Sequence, residues 1–172
     1  MSTNQLVSIV VVVIGVVACV FDVRTRRIPN LLTFGAAVAG LCFHALTSGS
    51  EGASLAASGW LVGLLILIPY FMAGGMGGGD VKLLAALGAW LGPWETFWLA
   101  IYAGLAGGVL GLCLALSHRY LRTAIANLRL MVGYWLTVGF RPVPGLTLDS
   151  SASPRLAYAI PILLGTVLTL WR

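Results

Sequence analysis

Ser8-Ile9-Val10-Val11-Val12-Val13-Ile14-Gly15-Val16-Val17-Ala18-Cys19-Val20-Phe21-Asp22 is an unbroken apolar run that ends on a carboxylate. Extended back to Leu6, it approaches the roughly 20 residues that cross a bilayer core as helix. The whole 172-residue chain is 59% hydrophobic and 9% charged. So little polar surface cannot cover a soluble globule of this size. The expectation is an all-α integral membrane protein, a bundle of about six transmembrane helices forming a single domain over residues 1–172. Met1 to Gln5 carry no Lys or Arg ahead of the first run, so this start does not read as a cleaved signal peptide.

Outward from that run, apolar segments recur at 31–47, 55–73, 81–91, 97–117 and 155–171, after the first at 6–21. The fourth is short. Its N-terminal flank is a glycine run, which predicts a helix that begins at the bilayer boundary, where protein or water must satisfy irregular backbone. Between the fifth and last segments, Arg119, Arg122 and Arg129 alternate at helical spacing with Leu121, Ile125, Leu128 and Met131. That pattern over 119–140 predicts an interfacial amphipathic helix with its basic face toward lipid headgroups. A loop follows, from Arg141-Pro142 through Ser153-Pro154.

The basic residues orient the bundle. Arg24, Arg26, Arg27, Lys82, Arg119, Arg122, Arg129, Arg141 and Arg155 all fall in connections on one side, whereas Glu51, Glu95 and Arg172 fall on the other. The positive-inside rule then puts both termini outside and the basic loops in the cytoplasm. The net charge of +5 is read as a topology and lipid-contact signal, and no nucleic-acid partner is expected. Gly104, Gly107, Gly108 and Gly111 make overlapping Gly-x-x-x-Gly faces in the fifth segment. Packing within the bundle is their expected use, and a homodimer the alternative. Pro69 and Pro161 are expected to kink their spans.

Cys19, Cys42 and Cys113 sit singly in apolar segments, and His44 and His118 are isolated. No metal-ligand spacing results. The thiols read as buried and free, with no metal or other cofactor expected.

The chemistry lies with the acids. Only five occur in the chain, and Asp80 is one: Gly77-Gly78-Gly79-Asp80-Val81-Lys82 places it after three glycines at the head of the fourth segment. Asp22, at the foot of the first, lies at the same predicted depth. Ionisable residues at such positions are functional candidates. Two nearby carboxylates can hydrolyse a peptide bond, because repulsion keeps one protonated while the other takes a proton from water. Helix-end electrostatics would favour the charge on Asp80, at a helix N-terminus, and the proton on Asp22, at a C-terminus. The plain alternative is that Asp22 pairs with Arg26 and Asp80 caps its helix.

Two longer stretches sharpen the reading: Asp22-Val23-Arg24-Thr25-Arg26-Arg27-Ile28-Pro29-Asn30 and Gly77-Gly78-Gly79-Asp80-Val81-Lys82-Leu83. They resemble the two signature stretches of the type IV prepilin peptidases, membrane aspartic proteases in which an aspartate precedes Ile-Pro-Asn by six residues and a Gly-x-Gly-Asp motif leads into Lys-Leu. The resemblance implies that Asp22 and Asp80 are catalytic, and that Gly77, Gly79, Lys82, Ile28, Pro29 and Asn30 position them or the substrate. It implies prepilins or pseudopilins as substrates, held in the bacterial inner membrane with their basic leaders in the cytoplasm. The paired Cys-x-x-Cys of the larger, methylating members is missing, so the chain looks like the short, cleavage-only type of tight-adherence (Flp) pili.

Three alternatives stand beside this reading. An archaeal-type preflagellin peptidase has the same chemistry. A presenilin-like protease shares Gly-x-Gly-Asp but also needs Pro-Ala-Leu, for which Pro154-Arg155-Leu156 and Pro161-Ile162-Leu163 are poor substitutes. A non-enzymatic transporter or channel subunit would use Asp22 and Asp80 as ion sites, yet such sites usually lie near the midplane.

Overall fold

The computed structural model describes residues 3–117, 119, 121–139, 141–143, 145–146 and 156–172. Among them are six helices and no strand: α1 (Thr3–Thr25), α2 (Asn30–Met72), α3 (Gly78–Leu91), α4 (Pro93–Ser117), α5 (Leu121–Val138) and α6 (Ala159–Trp171). Helices α1, α2 and α4 are long and apolar enough to cross a membrane. Residues 144 and 147–154 of the expected loop, together with Arg155 and His118, lie outside the described residues.

At 43 residues α2 is too long for one crossing, and Ser48 and Gly49 leave helical geometry, with φ of −134° and +61°. The chain folds back there. Gly40 on the first arm approaches Ala89 and Trp90, while Gly59 on the second approaches Gly88 and Gly92, so both arms meet the same end of α3. The expected spans 31–47 and 55–73 are these two arms.

Helix α3 is the hub of the bundle. Val81 and every residue from 83 to 90 are buried, which explains why a 14-residue helix carries hydrophobic residues on all sides. Its seam with α2 is made by glycines: a Cβ on Gly88 would strike the Gly59 carbonyl, and one on Gly59 the Gly88 carbonyl. Such close backbone approach is how helices associate where lipid removes the hydrophobic drive. Gly88→Leu is therefore expected to destabilise the protein by about 1–3 kcal/mol, the usual cost of overpacking. Thermal unfolding in detergent would show it.

The same logic joins α6 to its neighbours. A Cβ on Gly165 would lie 2.7 Å from the Ala103 nitrogen in α4, and one on Gly15 would lie 2.9 Å from Leu163 Cδ1. By contrast, Gly104, Gly108 and Gly111 have nothing within 4 Å, and of the Gly-x-x-x-Gly residues only Gly107 packs inside the bundle. At the expected outer end, Arg172 Nη2 reaches both Glu95 carboxylate oxygens, at 3.0 and 3.1 Å, and its guanidinium stands 4.8 Å from the Trp98 ring centroid.

The outer surface is apolar, with Ile9, Val13, Leu65, Val109 and Leu112 all exposed. Lipid is the solvent for that face. Cys42 and Cys113 also lie exposed there, not buried as expected, because in a bilayer an apolar side chain need not turn inward. Pro161 falls in the first turn of α6, where no intrahelical hydrogen bond is lost and no kink follows. His44 Nε2 lies 2.9 Å from the Trp90 carbonyl, and so engages an end of α3.

Helix α5 realises the amphipathic segment expected over 119–140. It has no buried residue and, among the described helices, contacts α4 alone.

Candidate active site

The site is built where the end of α1, the link into α2, and the starts of α3 and α6 converge. Helix α1 stops because Arg26 turns into the left-handed region, with φ of 53°, while its N–H still donates to the Asp22 carbonyl at 2.9 Å. Pro29, with φ of −60°, then caps α2 and its carbonyl accepts the N–H groups of Leu32 and Thr33. A ring that fixes φ suits such a helix entry. The reversal leaves Asp22 facing inward, only 8% exposed.

Asp80 belongs to the first turn of α3, whose cap is Gly77. Its N–H donates to the Gly77 carbonyl at 3.2 Å, and its carboxylate folds back toward Gly77. A Cβ on Gly77 would stand 3.1 Å from Asp80 Oδ2, so glycine leaves this fold-back room.

The two quoted stretches bind each other. A Cβ on Gly79 would lie 3.3 Å from Ile28 Cβ, so glycine lets the Ile-Pro-Asn segment lie directly on α3. One turn on, Lys82 Nζ donates to Asn30 Oδ1 at 3.0 Å and sits 5.4 Å from the Phe34 ring centroid. Ile28, Pro29, Asn30, Gly79 and Lys82 together form a latch. Asn30→Ala and Lys82→Met are each expected to cost about 1 kcal/mol, the worth of one hydrogen bond. The double variant should cost no more than the worse single one, measured by denaturation in micelles.

One contact was not legible in the sequence. The backbone N–H of Ala159, at the head of α6, donates to Asp22 Oδ2 at 3.2 Å, within the protein interior. The start of α6 thus faces Asp22 while the first turn of α3 holds Asp80. Helix-end electrostatics consequently do not tell the two carboxylates apart. Among the described residues, no three of His, Cys, Asp and Glu come together as a metal site.

These features define a helical membrane protein with one motif carboxylate buried near the end of α1 and the other in the first turn of α3. Residues 9–112, more than half of the chain, match the type IV leader peptidase family, and the chain belongs to that family. No curated protein and no solved structure matches it. The matched region holds Asp22, Asp80 and the whole latch; α6 lies beyond it. The protein is accordingly a membrane peptidase.

Proposed function

We propose that Asp22 and Asp80 are the catalytic pair of an aspartic endopeptidase that removes the basic leader from type IV prepilins or pseudopilins. The observation that carries the reading is the latch, which packs the Ile-Pro-Asn segment that follows Asp22 onto the first turns of α3, where Asp80 stands. Of such a pair, one member stays protonated and polarises the scissile carbonyl, while the other takes a proton from the attacking water. The pair then returns a proton to the leaving amine.

Positive-inside orientation puts this chemistry at the cytoplasmic side of the inner membrane, with both termini outside. A prepilin lies in the bilayer with its leader in the cytoplasm, so the bond just ahead of its hydrophobic helix arrives at the depth of the pair. The arginines serve topology and lipid contact, since a basic leader gains nothing from a basic face. Recognition comes from helix packing and the cleft. With three isolated cysteines and no Cys-x-x-Cys, residues 1–172 act as one cleavage domain of the Flp type, with no methyl transfer and no cofactor.

The test is cleavage of a candidate Flp prepilin co-reconstituted with the protein in liposomes and read by mass spectrometry. A cut immediately before the hydrophobic helix supports the reading. Intact prepilin beside a correctly inserted protein would count against this substrate, and proton or cation flux through the same liposomes would favour the ion-site alternative.

A further inference from the structure

Asp22 stands at the end of a helix seam. Val11, Gly15, Ala18 and Asp22 recur at helical spacing along α1 and all are buried, so they share one face. Two contacts lay that face on α6: a Cβ on Gly15 would lie 2.9 Å from Leu163 Cδ1, and the Ala159 N–H donates to Asp22 Oδ2 at 3.2 Å. On another side α6 is pressed against α4, where a Cβ on Gly165 would lie 2.7 Å from the Ala103 nitrogen and 2.9 Å from the Leu99 carbonyl oxygen. Both of those atoms are backbone, which cannot swing aside. Close contacts on two sides leave α6 little freedom to slide or tilt. The turn that carries Ala159 is closed by bonds of its own, from the Ile160 N–H to the Ala157 carbonyl at 3.1 Å and from the Ile162 N–H to the Tyr158 carbonyl at 3.2 Å.

Resting on the two-carboxylate reading, we propose that α6, which lies beyond the residues 9–112 that match the family, positions Asp22 for catalysis, with Ala159 as the positioning residue. The seams at Gly15 and Gly165 set the height of α6. At that height the Ala159 N–H holds Oδ2 of Asp22 and leaves Oδ1 to face the attacking water. A carboxylate turns easily about its last side-chain bond unless a partner holds it, and a base aimed about 1 Å wide of its proton loses much of its rate. The N–H of Ala159 is suited to the task because the first N–H groups of a helix have no acceptor within the helix. Asp22 supplies one.

Backbone chemistry separates this role from packing. Ala159→lactic acid, introduced by cell-free synthesis into liposomes, turns one amide into an ester and removes this N–H while keeping the methyl group. It is expected to lower kcat of leader cleavage about tenfold or more, with KM within about twofold. The matching change of Ile160 to its α-hydroxy analogue removes an N–H of the same turn that bonds a carbonyl and not a carboxylate. Its kcat should stay within about twofold of wild type. Equal losses at the two positions would make the contact merely structural and overturn the proposal, as would wild-type kcat in Ala159→lactic acid. Gly165→Ala displaces α6 from α4 and is expected to lower kcat to a similar extent, whereas Gly104→Ala, with nothing within 4 Å, should leave it unchanged. Added to Ala159→lactic acid, Gly165→Ala should slow cleavage little further. Losses that multiply would overturn the role of the seam.

A second measurement does not depend on turnover. Tyr-Ala occurs only at 102–103 and 158–159, so 13C-carbonyl tyrosine together with 15N-alanine singles out the amides of Ala103 and Ala159. The resonance lost in Ala159→lactic acid belongs to Ala159. It should move upfield in Asp22→Asn, where a neutral acceptor replaces a charged one, and stay in place in Glu95→Gln. No movement in Asp22→Asn would overturn the contact whether or not a prepilin is cut. Movement beside a wild-type protein that cuts no prepilin would leave the contact standing and overturn its catalytic role together with the substrate reading.

Discussion

On the two-carboxylate reading, Asp22→Asn and Asp80→Asn are each expected to reduce leader cleavage by about 10⁴-fold or more while leaving the protein folded and inserted. The size follows from the chemistry: an amide can neither take a proton from water nor deliver one to the leaving amine, and losing either partner of an acid–base pair disables both halves of the cycle. The persistence of the fold follows from the structure. Asparagine offers an oxygen that can still accept the Ala159 N–H at position 22 and has nearly the shape of the carboxylate at position 80. Alanine offers neither. Asp22→Ala should strand a buried N–H and cost about 1–3 kcal/mol, and Asp80→Ala should cost about 1 kcal/mol as the loss of a first-turn carboxylate. Mass spectrometry of the prepilin and thermal unfolding of each variant separate the two effects. If either Asn variant cuts at more than a few per cent of wild type, the two-carboxylate mechanism is wrong.

Most of the fold was legible because lipid imposes simple rules. Length and hydropathy located both arms of α2, and the charge interruption between 119 and 140 located α5. Asp22 and Asp80 stand out in the sequence because they lie at the ends of runs that otherwise contain no acid. The packing seams do not. Gly104 and Gly108 have the spacing of a helix contact yet face nothing, whereas Gly59 with Gly63 and Gly88 with Gly92 have the same spacing and do make the close seam between α2 and α3. Spacing along one helix states which residues share a face, but which face meets a neighbour is decided by the whole bundle. The head of α6 was hidden for a related reason. Ala159 contributes through its backbone N–H, which every residue but proline has, and it reaches Asp22 across 137 positions of sequence.

Gly79→Val is expected to lower cleavage about 10²-fold with both carboxylates intact. A Cβ at this position already lies 3.3 Å from Ile28 Cβ and 3.5 Å from its Cγ1, and the branched methyls of valine extend that volume. Ile28 has little room to yield, since Pro29 fixes the backbone beside it and Asn30 is tied to Lys82. The Ile-Pro-Asn segment must then lift away from α3 and draw the end of α1 with it, and Asp22 moves relative to Asp80. A displacement near 1 Å is enough for a loss of this size when a reaction depends on geometry. Two companions make the cause testable. Gly78→Val meets only the Phe71 ring, at 3.2 Å, and that exposed side chain can rotate outward, so its activity should fall by no more than a few fold. Ile28→Ala in the Gly79→Val background removes the obstructing side chain and should restore most of the cleavage, a coupling that independent sites would not show. Full activity in Gly79→Val would mean that the latch does not set the carboxylate geometry. Failure of Ile28→Ala to rescue would move the role of Gly79 to close approach by the substrate backbone, for which a missing Cβ matters equally.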